Sequence, residues 1–162
     1  MLVIHLISTR TGSGCVSDVF ITIGLGNPQS EELQIAGILA IAAAKLKKGI
    51  RATAVDNDPD ALENAAENIE LNNVSDSVEL SGEPVFKFEG KYDLVIANII
   101  SSVLYFLSDD LKRLTSKWLI LSGVLKTEDP VFMERMGLQD FELIEKTSEN
   151  EWSGYLLKRR DK

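Results

Sequence analysis

The stretch Arg51-Ala-Thr-Ala-Val-Asp56-Asn-Asp58-Pro59-Asp-Ala-Leu62 decides the fold, because a short apolar run ends in a carboxylate and a capped helix begins at once. Asp58 is of the type that caps a helix, and Pro59 of the type that fills its first turn. A strand that runs straight into a helix is the repeating unit of an open α/β sheet, and such sheets bind ligands beyond the carboxyl ends of their strands. Asp56 stands at that place. Its carboxylate can accept hydrogen bonds from both hydroxyls of a ribose. A plain strand end followed by an ordinary N-cap uses the same residue types, so the neighbouring segments carry the decision.

Toward the carboxyl terminus, Pro59 to Leu71 reads as a helix with Leu62, Ala65, Ala66 and Ile69 as its buried stripe, stopped by Asn72 and Asn73. Val78 to Leu80 is a short strand, and Tyr92-Asp-Leu-Val-Ile-Ala97 is a buried strand that ends at Asn98. A helix from about Val103 to Leu114 follows, then a strand from Trp118 to Leu121 closed by Ser122 and Gly123. Pro130 to Met136, with Gly137 behind it, carries the start and stop signals of a helix. The pattern then changes: Phe141 to Lys146 and Trp152 to Leu157 are joined by Thr147 to Glu151, which is too short for a crossover helix and suits an antiparallel hairpin.

Toward the amino terminus, Gly37 to Lys48 reads as a helix whose small residues suit close packing, ended by Gly49 before the strand Ile50 to Val55. Val19 to Ile23 and Leu2 to Ile7 are strand candidates, and Thr9 to Gly14 is a polar loop between them. The whole alternation predicts an α/β fold. It is a doubly wound, Rossmann-like three-layer sandwich on a mostly parallel seven-stranded sheet, with a C-terminal antiparallel hairpin.

Composition narrows the function. The 162 residues, 44% of them hydrophobic, can bury one core, and no Gly/Ser/Pro-rich linker divides them, so residues 1–162 are expected to form one domain. A formal charge of −8 opposes binding to phosphate backbones; it would attract a basic protein or a cationic small molecule, although the usual meaning of such a charge is solubility. The chain has one cysteine, Cys15, and one histidine, His5, which leaves few ligands for a zinc site and no paired nucleophile or base. No run of about 18 apolar residues is present, and Met1 to Ile7 is short for a signal peptide, so no membrane partner and a cytoplasmic location are expected. Trp118 and Trp152 lie in apolar strand contexts that suit core or interface roles.

Four segments occur in order: Gly37-Ile-Leu-Ala-Ile-Ala-Ala-Ala-Lys-Leu46, Ala54-Val-Asp56-Asn-Asp58-Pro59-Asp-Ala-Leu-Glu-Asn64, Tyr92-Asp-Leu-Val-Ile-Ala-Asn98-Ile-Ile and Leu119-Ile-Leu-Ser-Gly123-Val-Leu-Lys. With Glu151-Trp152 they resemble the catalytic domain of the bacterial ribosomal-protein methyltransferases that modify large-subunit stalk protein eleven, over residues 37 to 160. The resemblance implies a class I methyltransferase using S-adenosylmethionine, with a basic, ribosomal-protein-like acceptor. It implies that Asp56 holds the ribose, that Asn57 lies beside the adenine, and that the Leu80-Ser81-Gly82 turn covers the adenine's other side. Asn98 would be the catalytic residue, facing both cofactor and incoming amine. Methyl transfer from a sulfonium is an in-line displacement, so such an enzyme chiefly has to hold nucleophile and methyl carbon together, with no metal.

The chain departs from that family in its first loop. The family's glycine turn is matched best by Phe20-Ile-Thr-Ile-Gly24-Leu-Gly26-Asn27, after which Pro28 to Ala36 form a nine-residue insertion before Gly37. Gly24, Gly26 and Gly37 are then the cofactor-loop glycines; a rival placement uses Thr11-Gly12-Ser13-Gly14. Thr22 stands where the family has an acid. The family's substrate-docking domain is not recognisable. These departures raise a second reading, a non-catalytic binding or structural module that keeps the methyltransferase fold.

Overall fold

The computed structural model of the chain describes residues 16–22 and 37–161. Its strands are β1 Asp18–Thr22, β2 Arg51–Val55, β3 Val78–Ser81, β4 Tyr92–Asn98, β5 Thr115–Leu125, β6 Phe141–Glu149 and β7 Trp152–Arg159. Its α-helices are α1 Ile38–Leu46, α2 Pro59–Leu71, α3 Ser101–Leu114 and α4 Asp129–Arg135. The sheet order is β3-β2-β1-β4-β5-β7-β6. Strands β3, β2, β1, β4 and β5 are parallel, and β7 runs antiparallel between β5 and β6. This is the predicted sandwich with its terminal hairpin.

β1 is the middle strand of the parallel part β3-β2-β1-β4-β5, and its Val19, Phe20 and Ile21 have no exposed surface. Strands covered on both faces read as unbroken apolar runs, which is why β1, β2 and β4 were recognisable without alternation. On one face Val19, Ile21, Ala52, Ala54, Leu94 and Ile96 pack with Leu39, Ala40, Ile41 and Ala43 of α1 and Ile69 of α2. On the other, Phe20, Val55, Val95, Leu119 and Leu121 pack with Leu104 and Leu111 of α3 and Phe132 of α4. Crossovers that switch faces at β1 leave a crevice beyond the ends of β1 and β4.

Several boundaries differ from the sequence reading. β5 does not stop at Ser122-Gly123 but continues to Leu125, passing through Gly123 at φ +86°. The hairpin strands are longer than expected and are joined by Asn150 and Glu151, with Asn150 at φ 52°. On α2, Ala65 and Ile69 are buried, but Ala66 is exposed. Trp118 is half-buried beneath the Lys158 ammonium at 5.9 Å, whereas Trp152 is exposed and paired with Leu125 across β5 and β7. The expected strand Leu2 to Ile7, the loop Thr9 to Gly14, Gly24 and Gly26 lie outside the described residues. Among the described residues no helix is long and apolar enough to cross a membrane, and no group of three or more His, Cys, Asp or Glu could hold a metal ion.

Candidate functional site

Asp56 is the first residue beyond β2, and its backbone N–H donates to Ser81 O at 3.2 Å, which fastens it beside the end of β3. Its Oδ1 accepts the Asp58 N–H at 3.0 Å, and Asp58 in turn caps α2 by accepting the Asp60 N–H at 3.0 Å. The other oxygen, Oδ2, is buried and has no hydrogen-bond partner among the described residues, in a residue only 1% exposed. Burial pushes the Asp56 carboxyl above the usual carboxylate range, against the opposing pull of the Asp58 N–H. A buried carboxylate oxygen without a donor is expensive, and its natural complement is a ligand hydroxyl.

A second orphan lies one strand away. Thr22 ends β1 in register with Val55 on β2 and Ala97 on β4; it is 1% exposed, and its Oγ1 has no partner among the described residues. Asp56 and Asn98 each follow one residue beyond that row, so they flank the end of β1 from two sides. At a strand spacing of roughly 4.8 Å they stand on the order of 10 Å apart, the reach of a nucleoside-sized ligand. Asn98 is exposed, opposite Ser122 of β5, and the following Ile99 N–H donates to Ser122 O at 3.2 Å.

The other expected residues divide. Gly82 is next to Asp56: a Cβ there would come within 3.3 Å of Leu62 Cδ1 and 3.9 Å of Asp56 O, so the Ser81-Gly82 turn lies against Asp56. Ser81 Oγ shapes that turn by accepting the Glu83 N–H at 3.2 Å. Asn57 is exposed next to Asp56. Gly37 has a packing reason of its own, at φ +80° with a Cβ position 3.2 Å from Ala65 Cβ, where α1 approaches α2. The rim at the strand ends carries Asp58, Asp60, Glu83, Glu128 and Glu151, with Lys87 paired to Glu83.

Two residues escaped the sequence reading. Gly123 sits under Ile99: an added Cβ would fall 2.8 Å from the Ile99 carbonyl carbon and closer still to its oxygen. A glycine inside a strand signals close approach of another backbone, and that signal was present in the sequence. Glu128 accepts the Ser101 hydroxyl at 2.8 Å and the Leu125 N–H at 3.4 Å, tying the start of α3 to the end of β5. No local pattern announces it.

The sheet order, the antiparallel β7 and the acid after β2 define the class I methyltransferase fold. Within that class, residues 35–160 match the model of the ribosomal protein L11 methyltransferase (PrmA) family, and the chain belongs to that family. Its relatives include the ribosomal protein L11 methyltransferases of Campylobacter concisus, 39% identical over 129 residues, and of Geotalea daltonii, 41% identical over 120 residues. Those matches cover 78% and 73% of this chain but 44% and 38% of the relatives, so the chain spans less than half their length. Among solved structures, the ribosomal protein L11 methylase of Lactobacillus delbrueckii superposes with a TM-score of 0.79 at 25% identity, covering 98% of this chain and 77% of that one. An RNA methyltransferase of Salinibacter ruber in complex with S-adenosyl-L-homocysteine, at 19% identity, shares the fold with a TM-score of 0.69 over 99% of this chain and 92% of its own.

Proposed function

We propose that this chain carries the S-adenosylmethionine site and transfer chemistry of a protein N-methyltransferase, with an amine of ribosomal protein L11 as acceptor and the cytoplasm as its location. The observation that carries the reading is the Asp56 Oδ2, buried at the end of β2 and lacking a donor among the described residues. A ribose offers the donor this oxygen lacks, so the residues present fit the cofactor. Bound there, S-adenosylmethionine would supply an electrophilic methyl group.

The residues divide the remaining work. Asp56 accepts from the ribose hydroxyls, with the Asp58 N–H holding its carboxylate in one orientation. Asn57 and the Ser81-Gly82 turn flank the adenine. Gly24, Gly26 and Gly37 are the glycines assigned to the methionine end. Asn98 accepts an N–H of the incoming amine on its side-chain carbonyl and so aims the nitrogen lone pair; an amide is no base, and the amine's proton departs to solvent. Alignment of this kind is where such a transfer gains most of its rate. The acidic rim favours approach by a basic protein segment.

Titrating S-adenosylmethionine into the chain by calorimetry tests the reading, together with transfer of tritiated methyl groups to ribosomal protein L11. Micromolar affinity with label on the acceptor is expected. The absence of binding up to millimolar concentration overturns it in favour of a non-catalytic module, the reading that Thr22 in the family's acidic position favours.

A further inference from the structure

The segment from Asn98 to Ser101 leaves the sheet at the carboxyl end of β4 and turns into α3. It is held at three points by β5 and the turn that follows it. The Ile99 N–H donates to Ser122 O at 3.2 Å. Gly123 lies against the Ile99 peptide, where a Cβ would fall 3.1 Å from Ile99 N, 2.8 Å from its carbonyl carbon and closer to its oxygen. Beyond the turn, the Glu128 carboxylate takes the Ser101 hydroxyl on Oε1 at 2.8 Å and the Leu125 N–H on Oε2 at 3.4 Å.

The geometry of β5 itself is bent to this purpose. Ser122 pairs with Gly154 on β7 and Val124 with Ser153, so Gly123 is skipped in the ladder as a bulge. Its φ of +86° is a conformation that residues with a Cβ resist. Bulges re-aim side chains next to functional sites. Here the bulge coincides with the close approach of the β5 backbone to Ile99, the residue that follows Asn98. A side chain at position 123 would collide with the Ile99 peptide and so displace Asn98, the residue before it.

We infer that the end of β5 is a seat for the acceptor-orienting segment, with Gly123 and Glu128 as positioning residues for Asn98. This rests on the role given to Asn98 above, but the placement of Asn98 can be read without any turnover. The fold contains its own control: Gly90 has the same φ of +86° and nothing within 4 Å of a Cβ position. Gly90→Ala therefore carries the backbone strain of Gly123→Ala without the collision.

The experiment compares Gly123→Ala, Gly90→Ala and Glu128→Ala in the full chain. The Asn98 side-chain amide is followed by ¹⁵N NMR, its signal assigned by its loss in Asn98→Ala. S-adenosylhomocysteine affinity is measured by calorimetry, and kcat and KM are measured with ribosomal protein L11. Gly123→Ala should shift the Asn98 amide signal and lower kcat about tenfold or more, with S-adenosylhomocysteine affinity within twofold. Glu128→Ala should shift the same signal and lower kcat severalfold, and Gly90→Ala should leave both in place. A folded Gly123→Ala with an unmoved Asn98 signal, or with kcat within twofold of wild type, overturns the inference. If Gly123→Ala does not fold, Glu128→Ala decides by the same two criteria. A wild type that transfers no methyl group would sink the proposed function while the NMR comparison still decides the seat.

Discussion

Replacing Asp56 by Asn separates what this residue does for a ligand from what it costs the fold. The amide retains an oxygen for the Asp58 N–H, now 3.0 Å from Oδ1, and removes the charge on a carboxylate whose Oδ2 is buried without a donor among the described residues. Hydrogen bonds to a charged acceptor contribute roughly 1.5–3 kcal/mol, against roughly 0.5–1.5 kcal/mol for neutral pairs. Two ribose hydroxyls should therefore lose about 2–3 kcal/mol together, a weakening of S-adenosylmethionine binding of about 30- to 150-fold. Stability should move the other way. Burial raises the Asp56 pKa from the ordinary 3.8, so the folded state takes up a proton more readily than the unfolded one, and stability falls as pH rises through the raised value. Above that value the Asn variant should be the more stable without ligand, and below the ordinary pKa, where the acid is neutral in both states, the difference should vanish. Urea denaturation across that pH range, paired with calorimetric titration, reads both effects. An Asn variant less stable than wild type at neutral pH would refute the reasoning, because it would mean that the carboxylate is already paired in the free protein.

Asn98→Ala should leave stability within about 0.5 kcal/mol, since the side chain is exposed, and should lower kcat by about 100-fold with donor affinity nearly unchanged. A kcat within threefold of wild type would remove Asn98 from the chemistry. At the other end of the sheet, burial disfavours the charged form of Asp93, but Lys117 at 2.8 Å and the Ser17 N–H and hydroxyl at 3.0 Å outweigh it and bring its pKa to about 2. A depressed carboxyl stabilises the fold above the ordinary 3.8 and loses that contribution as pH falls toward 2. With Lys117 half exposed, the contribution is about 1–2 kcal/mol, and Asp93→Asn should flatten acid unfolding monitored by circular dichroism in that window. Phe132 has no exposed surface and stacks on Tyr155 at 4.7 Å, so Phe132→Ala should cost about 3–5 kcal/mol in urea denaturation; a loss below 1 kcal/mol would mean that α4 collapses onto the space left behind.

The parts of this fold that announce themselves in the sequence are those whose causes are local. α2 begins at Pro59 because Asp58 caps it, and it ends at Leu71 because Asn72 turns back to bond Asn68 O at 2.8 Å; both limits were readable from residue type. The acid at 56 was legible for the same reason, as a polar residue abruptly ending an apolar run. What the sequence hid depends on partners far along the chain. Ser122-Gly123 looks like a strand stop, yet β5 continues, because Gly123 answers to the Ile99 backbone rather than to a turn. Ala66 is apolar by type and exposed in fact, since the side of α2 that α1 and the sheet cover is set by tertiary packing. Gly37 was assigned to the cofactor on motif, and the structure supplies an independent requirement, the 3.2 Å approach to Ala65.

Of the three buried side-chain polar atoms without partners among the described residues, Tyr105 Oη lies on α3, while Thr22 Oγ1 and Asp56 Oδ2 lie at the ends of the adjacent strands β1 and β2. Two of the three meet at the topological switch point, the place where a ligand completes the surface of an open α/β sheet. The same atoms set the energetic coupling between ligand and fold. Neither has a partner among the described residues, and a ligand that supplies one, present at 100 times its dissociation constant, should add about 2.7 kcal/mol to the unfolding free energy. Asn98 lies outside that coupling because it is exposed, already held through Ile99 and β5, and positioned before any ligand binds. The division follows from depth: under the proposed function the buried strand ends, Thr22 and Asp56, would take the cofactor and trade stability for affinity, while the exposed Asn98 would take the acceptor and depend on the backbone beneath it.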